Sequence, residues 1–424
     1  MPLPIHRLIL LTALTLMGLA TAAGVRASDI SAGRLYSLVS AICTGEGASA
    51  LDGVTLEDGG EQELRAGFVR LDRRYSLSEG DAELEVMRIE QNGHLVRFVA
   101  EVYERDDQGR RPVIQAVAGS GCEIEGGRRI TVATNGLVLL QHLAADLDTV
   151  LATEKLEAPW PEGSDPGGPR AALVDSGLAY DLPFFADRLA RDEAGKPLGY
   201  DFWDMDPHPY DADISRSPFL PIRHGTMVAS VILRETETAA LIPFRYPRPD
   251  MERLGDLVER AAAAGARILV MPLGSSKPED WRAFEAAMKK HPELLAIISA
   301  GNNGRNLDDA PLWPGALRLE NALVVTSSDD QGRLGPGSNW GPESVDLMVP
   351  AEDVRVIDFQ GREQVAAGSI FAVPLLAAMA LRILADRPEI ATSTLKEELL
   401  ARAIDPPGDL EVVARGWIRD PRAH

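Results

Sequence analysis

From Ala171 onward the sequence alternates short apolar runs with longer helical ones, and this rhythm constrains the fold more than any other feature. The runs "AALVDSG", "AALIPFRY", "RILVMPLG", "LAIISAGNNG" and "ALVVTSSD" read as buried strands. Between and beside them lie "GTMVASVILRE", "LGDLVERAAAAGA" and "WRAFEAAMKKH", which read as helices. Repeated strand-helix units predict an α/β fold around a mostly parallel sheet.

Residues 28–153 follow a different pattern. "AGFVRLDRRYSL", "AELEVMRIE", "HLVRFVAEVYE", "RPVIQAVAG" and "RRITVATNGLVLLQHL" are rich in β-branched residues and are punctuated by Asn92-Gly93, Asp107-Gln108-Gly109 and Glu125-Gly126-Gly127. Asn-Gly between such runs signals a hairpin. We expect a smaller antiparallel β-rich domain here, with a helix near Ser31 to Cys43. Residues 154–170, "EKLEAPWPEGSDPGGPR", break both periodicities and read as a linker to a second domain over 171–424.

The first 27 residues carry His6 and Arg7, an apolar stretch from Leu8 to Ala20, and small residues at Ala20-Thr21-Ala22 and Val25-Arg26-Ala27. That layout is a signal peptide over residues 1–27. No later stretch reads as a membrane span, so we expect an exported protein, secreted or periplasmic, with no stable span after cleavage. Cys43 and Cys122 are the two cysteines. In an oxidising compartment they read as one disulfide, with two separate thiols as the alternative. The formal charge of −21 argues against nucleic acid as a partner.

The ends of the expected strands carry the chemistry. Asp175 closes "ALVDSG", His224 opens the helix of "RHGTMVAS", and Asn302 follows the strand of "IISAGN". Each alone is an ordinary turn or cap residue. Together, an acid, an imidazole and an amide at strand-to-helix junctions are the parts that acyl transfer needs. The run Asp204, Asp206, Asp211 and Asp213 offers oxygen ligands but fits no twelve-residue calcium loop. We read it as a solvated loop, and expect no metal and no cofactor. Ser275, Ser299 and Ser327 read as cap or turn hydroxyls.

With these residues in order, the sequence resembles the subtilases, the subtilisin-like serine peptidases, from about Ala171 to Trp417. "ALVDSGLAY" resembles the Asp block, "RHGTMVAS" the HGTHVA block, "SAGNNG" the block of the oxyanion Asn, "VMPLGSS" the substrate strand and "SNWGPESVDLMVP" the SxxGPxxDxxAP segment. The resemblance implies a three-layer subtilisin-like fold. It also implies that Asp175 orients His224, that His224 acts as general base and then acid, and that Asn302 donates to the oxyanion. Leu273, Gly274, Ser299 and Gly301 would flank an extended polypeptide by strand addition. Pro272 stands where the family often has Ser, so that position has no N–H to donate.

The nucleophile block departs from the pattern. The family reads GTSMAxP, with Ser four residues before Pro; here the block is "GSIFAVP", and Ile370 stands four before Pro374. Ser369 precedes it by one residue. On a helix, neighbouring side chains point about 100° apart, and a misplacement of about 1 Å costs roughly 100-fold in rate. The expectation is therefore a catalytically impaired or inactive homologue that binds a polypeptide or a protein partner. The alternative is an active endopeptidase in which a register shift brings Ser369 to the site. A third reading gives the function to the β-rich domain, with the subtilase part as scaffold; that domain is unlike the family's short pro-region in its length and cysteines.

Overall fold

A computed structural model describes residues 30–45, 51–78, 81–106, 109–408 and 411–422. The leader read at residues 1–27 lies outside the described residues.

Eight antiparallel strands form the first sheet and follow one another in chain order. They are Val54–Arg65, Phe68–Leu77, Ala82–Gln91, His94–Asp106, Gly109–Ala118, Ile124–Val132, Val138–Leu143 and Val150–Lys155. The Asn-Gly signal is a tight turn, with Asn92 at φ 51° and Gly93 at φ 77° between the paired Gln91 and His94. Both residues sit in the left-handed region that this hairpin geometry requires. Glu125-Gly126-Gly127, by contrast, is no turn and lies inside the strand Ile124–Val132. Glycine is needed there for close approach, because a Cβ on Gly127 would lie 2.3 Å from the Gln115 carbonyl oxygen.

The helix Ala32–Thr44 lays Leu35, Leu38, Val39 and Ile42 on this sheet, against a core that includes Leu84, Phe98 and Ala116. Ser31 caps it by accepting from the Arg34 N–H at 3.1 Å. Cys43, in its last turn, is joined to Cys122 by a disulfide.

The second sheet has seven parallel strands. Their spatial order is Tyr200–Asp201, Ala240–Arg245, Arg170–Asp175, Ala266–Met271, Leu295–Ser299, Ala322–Ser328 and Leu347–Pro350. Successive residues serve opposite faces, as the pleat demands. Leu173, Val270 and Ile297 pack with the helices Gly225–Arg234 and Ser369–Asp386, while Val174, Leu269 and Ile298 pack with Leu254–Ala263 and Arg282–Lys290. This is the three-layer α/β arrangement expected from the sequence, and all carboxyl ends of the strands face one side.

One sequence reading needs revision. The helix Ser369–Asp386 is long and apolar enough to cross a membrane, but 78% of its apolar window is buried against the sheet. Within residues 154–170, Trp160 stacks on Tyr180 with centroids 4.1 Å apart, and its indole N–H donates to the Pro207 carbonyl at 2.8 Å. Glu154 and Lys155 end the last strand of the first sheet, and Arg170 begins the third strand in the spatial order of the second.

Gly127→Ala should destabilise the protein by about 1–3 kcal/mol, the range for overpacking a filled site. Thermal or urea unfolding checks this; an unchanged midpoint would mean that the two strands can separate without cost.

Candidate active site

Asp175 ends its strand, and the chain turns away through Ser176 and Gly177, the latter at φ 113°. The helix Gly225–Arg234 starts directly over this turn. A Cβ on Gly225 would lie 1.9 Å from the Gly177 carbonyl oxygen and 3.1 Å from Asp175 Cβ, so only glycine permits the approach. That contact brings His224 Nδ1 within 2.8 and 2.9 Å of the two Asp175 carboxylate oxygens. In the neutral ring Nδ1 therefore carries the proton, leaving Nε2 as the lone-pair nitrogen. Nε2 is buried and has no hydrogen-bond partner among the described residues.

A second carboxylate fixes the helix start, and sequence reasoning missed it. Asp211 is fully buried. It accepts from Ser176 Oγ at 2.6 Å, from the Thr226 N–H at 3.0 Å and from Thr226 Oγ1 at 2.5 Å, with the His224 N–H at 3.2 Å. Ser176 Oγ in turn accepts from the N–H groups of His224 and Gly225 at 3.1 and 2.9 Å. A carboxylate at a helix N-terminus satisfies orphan N–H groups and complements the helix dipole. The acidic run read as a solvated loop is thus split. Asp211 and Asp213 are buried, and Asp213 accepts from Tyr246; outside the run, the buried Asp201 pairs with Arg245 at 2.9 Å. Asp204 is exposed and Asp206 is half-buried.

Asn302 and Ser369 form the other half of the site. The Ser369 N–H donates to Asn302 Oδ1 at 2.9 Å, and the Ser369 hydroxyl lies 2.7 Å from the same oxygen and 2.8 Å from the Gly301 carbonyl. Ser299 Oγ donates to the Ser369 hydroxyl at 3.2 Å. Because Oδ1 faces the helix start, Nδ2 is the free end of the Asn302 amide. Gly368, at φ 109°, leaves room for that amide; a Cβ there would lie 3.0 Å from Nδ2. Ser369 is fully buried and makes no hydrogen bond to His224. Ile370 follows it, half-buried against the core, and the Phe371 ring lies 6.1 Å from the imidazole.

Leu273 and Gly274 follow the strand Ala266–Met271, and their N–H groups have no acceptor among the described residues. Ser299 and Gly301 lie at the end of the neighbouring strand, where the Gly301 N–H donates to Ser299 Oγ at 3.1 Å. Leu312 lies between the two segments: a Cβ on Gly274 would be 3.2 Å, and one on Gly301 3.1 Å, from its Cδ2. Ser275 is already paired through its backbone with Trp313, both bonds being 2.9 Å. Its hydroxyl accepts from the Trp281 indole at 3.0 Å, and Ser327 donates to Glu352 at 2.5 Å, so neither serine points at the imidazole.

A family model described as the subtilase family matches residues 168–416, more than half of the chain. The chain belongs to the subtilase family. It is 25% identical to halolysin of Haloferax mediterranei over 250 residues, which is 56% of this chain and 45% of halolysin. The subtilase described here therefore spans less than half of that relative's length. Among solved structures, a cold adapted subtilisin-like serine proteinase is 19% identical at a TM-score of 0.48, covering 60% of this chain and 89% of that one. The A-subunit of the AB5 toxin from E. coli is 18% identical at a TM-score of 0.49, covering 61% and 92%. Neither likeness adds to what the family match and the fold already establish.

The electrostatics of the subtilase dyad follow from its neighbours. Burial alone would push the His224 imidazolium down. The Asp175 charge, its hydrogen bond to Nδ1 and the Asp211 charge outweigh burial and hold the group above its ordinary value of 6.5. A folded value above the unfolded one means that the pair's stabilisation is complete below about pH 6.5 and is lost as pH rises through the folded value. The gap in thermal midpoint between the native protein and His224→Gln should accordingly be widest below that pH and narrow above it. A gap independent of pH would contradict the arrangement. Asp211→Ala, which strips the acceptor from Ser176 and Thr226, should cost about 3 kcal/mol in urea unfolding at neutral pH.

Proposed function

We propose that this subtilase is an exported polypeptide-binding protein whose peptidase centre is incomplete. One observation carries the reading: the Ser369 hydroxyl and N–H are both engaged with Asn302 and Gly301, Ile370 takes the next position, and His224 Nε2 faces no oxygen. In this reading Asp175 and His224 keep the acid and base of acyl transfer and Asn302 keeps its oxyanion donor, but nothing attacks the carbonyl carbon. Using Ser369 instead would require breaking its bonds to Asn302 and shifting a helix whose next three turns are packed in the core. The hydroxyl then has a structural role, closing the helix start onto Asn302.

The free N–H groups of Leu273 and Gly274 support binding of an extended chain by strand addition, with Ser299 and Gly301 on the opposite side. Leu312, between the two segments, would favour a small side chain there. Export is supported by the layout of the first 27 residues and by the Cys43–Cys122 disulfide, which suits a secreted or periplasmic setting.

Calorimetry with oxidised insulin B chain, followed by mass spectrometry of the same sample, tests the proposal. We expect binding without cleavage. Ile370→Ser should then cleave the peptide, since loss of the nucleophile from a complete triad costs about 10⁶ in kcat and even a gain of about 10³ stands clear of the parent. Cleavage by the unmodified protein that disappears in His224→Ala would overturn the proposal, as would the absence of binding.

A further inference from the structure

The chain between Asp211 and His224 leaves the body of the second sheet and packs on the first. Its base is closed by an antiparallel bridge in which Asp213 and Ile222 exchange backbone bonds of 2.9 and 2.8 Å. Its tip is anchored rather than mobile. Phe219 is fully buried in a small cluster whose other members, Tyr103, Leu140, Ile130 and Leu156, come from the first sheet and the residue that follows it. The Phe219 ring meets Tyr103 edge-on at 6.0 Å. Beside it, Ser217 Oγ donates to Glu101 Oε1 at 2.7 Å, and Glu101 is itself held by Gln115 at 2.8 Å and Tyr103 at 2.7 Å.

The base of the loop is tied to the same sheet. Arg223 donates to the Asp211 carbonyl and, at 3.2 Å, to the carbonyl of Lys155 at the end of the edge strand. Its guanidinium also lies 3.7 Å from Glu154 and 4.4 Å over the Phe359 ring. The residues at the two ends of this clasp are Asp211, which holds the helix start, and His224 itself. Exposed loops are ordinarily the mobile part of a fold. This one is immobilised by burying its aromatic tip in a separate sheet.

We propose that the eight-stranded sheet is a positioning element for His224, acting through the loop 213–222. By seating Ser217 and Phe219, it holds Asp211 against the start of the helix Gly225–Arg234 and so sets the imidazole on Asp175. Phe219, Ser217, Glu101 and Arg223 are then positioning residues that never meet a bound polypeptide. This goes beyond the binding proposal and stands whether or not the protein cleaves anything, because its readout is the imidazole alone.

Histidine-labelled NMR of the full chain tests it, the His224 signal being identified by its loss in His224→Gln. The charged groups that face the ring are Asp175 from the strand end and Asp211 from the loop, with Arg223 next in sequence; the central helix contributes only the apolar Phe371. Of these, Asp211, whose charge holds the imidazolium up, depends on the clasp. Phe219→Ala should lower the His224 titration midpoint by about half a unit or more, the size of a weakened nearby charge, and Phe219→Leu should restore most of it. Should Phe219→Ala fail to fold, the double variant Ser217→Ala with Glu101→Gln should move the midpoint the same way. An unchanged midpoint in whichever variant folds overturns the proposal. A fall that Phe219→Leu does not rescue also overturns it, since it marks general loosening rather than the loss of an apolar anchor at the loop tip.

Discussion

The amide oxygen of Asn302 holds the start of the central helix, and the register of that helix decides what the site can do. Both the N–H and the hydroxyl of Ser369 converge on this oxygen, with the Gly301 carbonyl beside it. Once Ser369 is fixed there, Ile370 must take the following position, and Phe371 must turn toward the imidazole. The helix cannot slide to relieve this, because Phe371, Ala372, Val373, Leu375, Leu376 and Ala377 are all buried among the strands. Close packing makes such cores bistable rather than continuously adjustable. A single side-chain contact therefore propagates into the chemistry available to the whole site.

The opposite wall is built on a different principle. The close approach of Gly225 to the Gly177 carbonyl lets a helix start sit on a strand end with no side chain between, and Gly177 in turn lies against the Tyr210 backbone. The buried Asp211 carboxylate gathers the donors that this leaves unsatisfied. The Asp175–His224 pair is consequently rigid and complete, even though its outward nitrogen meets no partner. A buried polar pair of this kind needs satisfied neighbours to persist. Here Ser176, Thr226 and Asp211 supply them.

Much of this was legible because the central strands are buried on both faces and so read as short apolar runs, with Asp175, His224 and Asn302 at their ends. The departure at Ile370 was legible by counting from Pro374. Two strands of the first sheet were not. Val54–Arg65 and Val150–Lys155 are the outer edges of the first sheet and are almost wholly exposed, so no alternation marks them. Asp211 was read as solvated because the run around it is acidic, and only the fold reveals which of its carboxylates points inward. Phe219 carried no signal either, since its partners Tyr103 and Leu140 lie in a different sheet and far away in sequence. Local pattern reports faces and ends; it does not report which loop docks on which surface.

In the proposed reading no hydroxyl stands where an acyl intermediate would form. Incubating the purified protein with a fluorophosphonate probe and mapping any adduct by mass spectrometry tests this most directly, because the reagent needs only an activated serine and no knowledge of substrate. No adduct on any serine, Ser369 included, is the expected result. An adduct on Ser369 that is abolished by His224→Ala would contradict it.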